Sequence, residues 1–385
     1  MTTDTVGGVW NYSLSLAAEL AVAHGLRVAL AAVGPAASAA QQAVVAALPG
    51  LAFYACPGRL EWQPGCAPDL AESARWLRDL AGELDVALIH SNQFAYGALD
   101  AGCRVLVVAH SDLFSWHAAC QPLDGPLDPD WRAFLADYRR VVVAGLRGAA
   151  AVVCPSRFVA AGLRAHYGVP VEMDVIYNGI APPGSVPMRD GPARRVLTVG
   201  RLWDPAKNLA CLLDAVGDGI PGLEIAVAGS LEGPDGGMAP PAGPLRVLGP
   251  LPHAALLAEM AAADVYAGMS RYEPFGLAPL EAAAHGCALL LSDVPSFREI
   301  WGGAARYCRS AADLRAALLD LAAGSPPARQ AARQRAARYT IARTAAAYAR
   351  LYARLGARGR ADRAARRIGH GPHVPRSPER TAHPA

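Results

Sequence analysis

Short apolar runs and longer amphipathic stretches alternate along almost the whole chain. In the first half, Val/Ala/Leu-rich runs at 27–33, 51–55, 85–90, 104–110, 150–154 and 174–177 predict strands. Between them, apolar residues recurring every three or four positions predict helices over 9–24, 69–84, 130–145 and 156–167. The second half repeats the scheme, with strands over 195–200, 223–229, 245–248, 264–269 and 288–292. Helices are predicted there over 209–216, 253–262, 277–285 and 311–322. Strands that are apolar on both faces and separated by helices belong in parallel sheets covered on both sides. The alternation pauses at Ala181-Pro-Pro-Gly-Ser-Val-Pro187 and Gly191-Pro192, which reads as an interdomain linker. The expected architecture is α/β, with two doubly wound parallel-sheet domains of the Rossmann type over residues 1–182 and 190–338.

The two ends depart from this rhythm. Thr340 can cap a last helix, 340–356, that sets Ile341, Ala345, Tyr348 and Tyr352 on one stripe. Beyond it, the Arg/Pro/His mixture of 357–385 reads as a disordered basic tail. At the other end, Met1-Thr-Thr-Asp-Thr-Val-Gly-Gly-Val-Trp10 looks like the end of a first strand and a glycine loop, without the apolar run that should precede them. In a doubly wound sheet that strand is central. The expectation is a truncated first strand and a gap in the sheet, with Met1 internal to a longer chain.

Composition narrows the class. With 53% hydrophobic residues, 385 positions suffice for two cores. The tail carries seven Arg against Asp362 and Glu379, more than the whole chain's net charge of +3. The rest is slightly acidic and has no nucleic-acid-binding signature. The eight cysteines show no Cys-x-x-Cys and no cysteine–histidine ligand spacing, so reduced thiols in a cytoplasmic protein are expected. No run of eighteen apolar residues exists to span a membrane, which leaves peripheral membrane contact open.

The candidate chemistry concentrates in Arg271-Tyr-Glu-Pro-Phe-Gly-Leu-Ala-Pro-Leu-Glu281. Glu273 falls in a loop after a strand, and Glu281 about one turn into the following helix. That helix start, with the amides of Phe275, Gly276 and Leu277, offers donors to an anion, while Glu281 can accept from neighbouring hydroxyls. A phosphate beside a polyol describes a nucleotide sugar. Upstream, Gly200-Arg-Leu-Trp-Asp-Pro-Ala-Lys-Asn208 holds Arg201 and Lys207, the only lysine among 36 basic residues. A compact ammonium beside a guanidinium suits a pyrophosphate. Gly7 and Gly8 permit close approach of a ligand to the backbone. His110 ends an apolar strand at the edge where α/β sheets bind ligands, and His90 has the same placement. Asn178-Gly179 is a turn at the end of the first half, Ser156 reads as an N-cap, and Asp128-Pro-Asp130 reads as a helix start rather than a metal motif.

These segments resemble the retaining glycosyltransferases of the GT-B fold, family 4 in particular. Glu273 and Glu281 match the E-x7-E signature, Arg201 and Lys207 the Arg-x5-Lys pair, and Gly7-Gly8 the family's glycine loop. The resemblance implies a sugar transferred from a nucleotide-sugar donor with retention of configuration and without a metal or other cofactor. Glu281 would hold the ribose and Glu273 the sugar, while Arg201 and Lys207 would stabilise the leaving diphosphate. His110 would contact the transferred sugar, Asn178 would lie at the cleft, and the last helix would cross back to the first domain. The acceptor stays open between a glycan, a lipid-linked molecule and a small molecule. A nucleotide-sugar 2-epimerase or a non-catalytic binding protein of the same fold are the alternatives.

Overall fold

The computed structural model describes residues 1–121, 128–184, 186, 191–233, 236–237, 243–325 and 327–356. The tail 357–385 and residues 122–127 and 187–190 lie outside them. The first half contains strands β1 (Thr2–Thr3), β2 (Val28–Gly34), β3 (Leu51–Pro57), β4 (Leu88–Ser91), β5 (Arg104–Val108), β6 (Ala151–Cys154) and β7 (Met173–Val175). Its helices are α1 (Gly8–His24), α2 (Ala39–Ala46), α3 (Ala67–Glu83), α4 (Leu113–Cys120), α5 (Pro129–Gly148) and α6 (Arg157–Tyr167). The second half has β8 (Arg195–Val199), β9 (Glu224–Ala228), a hairpin of β10 (Glu232–Gly233) and β11 (Gly236–Gly237), then β12 (Leu245–Gly249), β13 (Val265–Gly268), β14 (Ala288–Ser292) and β15 (Arg306–Cys308). Its helices are α7 (Leu209–Val216), α8 (His253–Ala262), α9 (Leu277–Ala284), α10 (Pro295–Trp301), α11 (Ala311–Ala322) and α12 (Arg329–Ala336), followed by α13 (Ile341–Arg354).

The six parallel strands of the second half run in the order β12-β9-β8-β13-β14-β15. Their residues alternate between two buried faces. Val196, Val227, Val265 and Leu290 pack under α7 and α11, and Leu197, Ala226, Tyr266 and Leu289 pack under α8, α9, α10 and α12. The strand order reverses between β8 and β13, the switch point where such sheets bind ligands.

The first half holds two parallel sheets, β1-β2-β3 and β4-β5-β6-β7. β1 is two residues long and, among the described residues, ladders only with β2. Toward β4, side chains take over the pairing: the Thr2 hydroxyl accepts from the Asn92 amide nitrogen at 2.9 Å and donates to Gln93 Oε1 at 2.6 Å. The ladder is therefore interrupted between β1 and β4, where side chains bridge the two sheets.

α13 buries the expected stripe. Ile341, Ala345, Tyr348 and Tyr352 pack with Tyr12, Leu16 and Leu20 of α1, and the Tyr12 hydroxyl donates to that of Tyr348 at 2.9 Å. A side chain such as Leu16, fully buried here, contributes about 1.5–3 kcal/mol. The short helices α2, α4 and α10, the β10–β11 hairpin and β15 were not expected. Asp112 caps α4 by accepting from the Ser115 amide at 2.9 Å.

Candidate functional site

The donor-side residues come from two loops that leave the switch point. β8 ends at Val199, and the chain turns through Gly200 into a short 3₁₀ turn, Pro205–Lys207, capped by Asp204. β13 is followed by the loop to Gly276, which caps α9 at φ +92°. Few side chains tolerate that left-handed conformation, and a Cβ there would also lie 2.9 Å from Pro279 and 3.0 Å from Phe297. Glycine thus lets the backbone turn sharply into α9, with Phe275 buried beneath it.

Two acids and two bases predicted as a group prove to be paired. Lys207 Nζ donates to Glu273 Oε2 at 2.6 Å, with 23% and 15% of the two side chains exposed. Arg201 lies 2.7 Å from Asp204 and over the ring of Trp203. Glu281 Oε1 lies 2.8 Å from His253 Nε2 at the start of α8. That hydrogen bond is the main reason the His253 pKa is raised, against the opposing effect of burial. Leu277 lies against the glycine loop, since a Cβ on Gly8 would meet it at 3.8 Å. Gly7 caps α1 at φ +67°.

Across the cleft His110 follows β5. Its Nε2 lies 2.9 Å from Asn92 Oδ1, and the Tyr12 ring meets it edge-on at 4.6 Å. Burial pushes its pKa down to about 4, so it is neutral near pH 7. It makes no direct contact with the four charged donor-side residues among the bonds described. His90 is buried and bonded to Tyr352 and Asn92. Asn178 is buried with Oδ1 lacking a partner among the described residues. The adjacent Gly179 abuts Thr340, where a Cβ would come within 2.3 Å of the backbone, so this turn sits under the return of the last helix. Ser156 and Asp128 cap α6 and α5 as expected.

The seam between the halves brings in residues the sequence did not single out for the site. Trp116 of α4 donates to Asp204 at 3.1 Å, the Ser111 hydroxyl meets that of buried Tyr272 at 3.3 Å, and Ser156 donates to the Pro274 carbonyl at 2.7 Å. Glu299 of α10 accepts from the Arg157 and Phe158 amides. Asp4, beside the glycine loop, is raised by burial to about 6, opposed by the Val6 amide and the Arg201 charge across the seam. Glu61 is raised by burial to about 7 although the Ala95 and Phe94 amides bond it. Only the in-loop Asp204 carried a local signal, as an acid three residues after Arg201. A cavity of about 290 Å³ lined by Asn208, Ser270, Arg271 and Asp293 includes none of Arg201, Lys207, Glu273 or Glu281. The convergence of charges marks the site better than that volume does. Among the described residues no three His, Cys, Asp or Glu side chains group to hold a metal, and no helix is long and apolar enough to cross a membrane.

Comparison with known proteins follows the same division. The sequence model of Glycosyltransferase Family 4 matches residues 6–182, and that of Glycosyl transferases group 1 matches residues 193–323. The chain belongs to the family 4-like glycosyltransferases of the GT-B fold. Among solved structures of this fold, sucrose-phosphate synthase from Thermosynechococcus elongatus is similar at TM-score 0.69 and 19% identity, over 93% of this chain and 96% of that one. The Anabaena protein HepE, solved in complex with UDP-glucose, is similar at TM-score 0.67 and 17% identity, over 91% and 98%. A phosphatidyl-myo-inositol mannosyltransferase of Mycobacterium tuberculosis is 35% identical over 116 residues, a stretch covering 28% of this chain and 30% of that relative.

Proposed function

We propose that this family member moves a sugar from a nucleotide-sugar donor to a hydroxyl-bearing acceptor, with retention of anomeric configuration. The observation that carries the reading is the pairing of Lys207 with Glu273 beside Arg201, at the switch point and next to the start of α9. Glu281 binds the ribose hydroxyls and Glu273 the hydroxyls of the transferred sugar. Arg201 and Lys207 hold the diphosphate and stabilise the charge it gains on leaving, assisted by the amides of Phe275, Gly276 and Leu277. Glu273 keeps the Lys207 ammonium over the cleft until the diphosphate arrives. Gly7 and Gly8 leave room for donor and acceptor beside Leu277, His110 contacts the sugar, and Asn178 backs the cleft. The leaving phosphate takes the acceptor's proton on the same face, so no covalent nucleophile is required, and no step is assigned to a metal. No disulfide joins the described cysteines, which suits a reducing, cytoplasmic setting.

A panel of UDP-glucose, GDP-mannose and ADP-glucose tests the proposal by thermal shift, followed by product analysis with glycan, lipid-linked and small acceptors. A donor at ~100 times its Kd should stabilise the chain by ~2.7 kcal/mol. If no nucleotide sugar or nucleoside diphosphate stabilises it, the donor reading fails. Release of an epimerised sugar without any acceptor would replace transfer by isomerisation.

A further inference from the structure

The side-chain amide of Asn92 lies where β1, α1 and the end of β4 meet, and its orientation is fixed. Nδ2 donates to the Thr2 carbonyl at 2.7 Å and to Ser13 Oγ at 2.9 Å. A carbonyl only accepts, so turning the amide over would set oxygen against oxygen. Oδ1, also acceptor only, then faces two imidazoles: His110 Nε2 at 2.9 Å and His90 Nε2 at 3.2 Å. Both Nε2 atoms must carry the hydrogen. In His90 the other nitrogen agrees, because the Tyr352 hydroxyl donates to Nδ1 at 2.6 Å. In His110 the other nitrogen has no partner among the described residues and is not sealed from solvent. The next residue, Ser111, meets Tyr272 of the opposite wall.

We propose that Asn92 is a positioning residue that holds His110 as the neutral Nε2–H tautomer, presenting Nδ1 as an acceptor for a hydroxyl of the transferred sugar. The proposal rests on the reading of His110 as a sugar contact. A lone pair fixed there selects a neutral sugar with a hydroxyl at that position and disfavours a carboxylate, which brings no proton to share. It also bars His110 from delivering a proton. The surroundings preserve the neutral form. Tyr12 of α1 packs on His110, and neutral His90 shares its acceptor, with Tyr348 and Tyr352 of α13 behind.

Long-range ¹⁵N–¹H NMR of the full chain reports the tautomer, with the His110 signal assigned by its loss in His110→Asn. A protonated Nε2 with a bare Nδ1 is expected at pH 7, and an Nδ1–H or imidazolium pattern overturns the proposal. Asn92→Asp keeps an acceptor but adds a charge that favours imidazolium. With the best donor of the panel, its turnover should fall about tenfold per pH unit below the raised histidine pKa and recover at alkaline pH, while wild type stays flat. A loss equal at every pH, or no loss, overturns the positioning role. His110→Asn, whose amide places an acceptor where Nδ1 stood, should turn over faster than His110→Gln. If both match wild type although the tautomer is as stated, the sugar contact falls and the proposal with it. Donor binding through Glu281 and Lys207 would be untouched by that result.

Discussion

The two walls of the cleft follow opposite electrostatic plans. On the second-half wall, Lys207–Glu273, Arg201–Asp204 and His253–Glu281 are ion or hydrogen-bonded pairs with at least one partner open to water. On the first-half wall, His90, Asn92, His110, Tyr12 and Tyr348 form a neutral network, and burial pushes even the ionisable members toward their uncharged forms. The contrast follows from desolvation. Full charges that must meet an anionic ligand cannot be stripped of water beforehand without a partner, so they wait in pairs that the ligand can exchange. Groups that read hydroxyls need only a fixed direction of donor and acceptor, which a buried network supplies.

The comparison breaks most readily at Lys207. Lys207→Ala should lower turnover on the order of 10²–10³ with a smaller change in nucleoside diphosphate affinity, and wild-type turnover with a proven donor would reduce this lysine to a surface residue. Glu281→Ala should weaken nucleotide binding by roughly 1.5–3 kcal/mol, measured by calorimetry, whereas Glu273→Ala mainly slows transfer. Equal and negligible effects of the two would erase the division of labour between the acids. On the neutral wall, away from Asn92 and His110, the penalty should appear as stability instead. Tyr12→Phe removes only the hydroxyl bonded to Tyr348 and should lower the unfolding free energy by ~1 kcal/mol without changing nucleotide affinity. A change in affinity would show the walls to be coupled.

The smallest effect concerns pH. The His253 pKa is raised by Glu281, so the pair stabilises the free chain below the ordinary histidine pKa, and this is lost as pH rises through the raised value. A ribose competing for Glu281 should therefore bind better on the alkaline side, by less than about fivefold, because partly exposed pairs are worth ~0.2–1 kcal/mol. His253→Ala should flatten that dependence in a titration of nucleotide binding between mildly acid and mildly alkaline pH.

The charged wall could be read from sequence because each loop leaves a strand and enters a helix within a dozen residues. Glu273 and Glu281 share one such segment, and Arg201 and Lys207 another. Their partners could not, because they arrive from afar: Trp116 meets Asp204 88 positions on, and Ser111 meets Tyr272 161 positions on. His253 looked like an ordinary helix start, although it closes on Glu281. Asn92 carried no signal, since its importance lies in two histidines and a carbonyl converging on one amide. Among the elements, α4 was missed because Leu113–Cys120 is apolar and aromatic nearly all round, leaving no periodicity to detect. α10, at seven residues, is too short to show one. The parallel sheets were legible because their strands are apolar on both faces.

The hydrogen bond between Tyr12 and Tyr348 joins residues 336 positions apart, and this separation sets a timetable for biosynthesis. At about 5–20 residues per second, the ribosome delivers α13 tens of seconds after α1 has emerged. Through that interval the faces of Tyr12, Leu16 and Leu20 that α13 covers stand open, a binding surface for a chaperone and a hazard if synthesis stalls. The second half, whose core closes before α13 begins, can fold while the first still waits for α13.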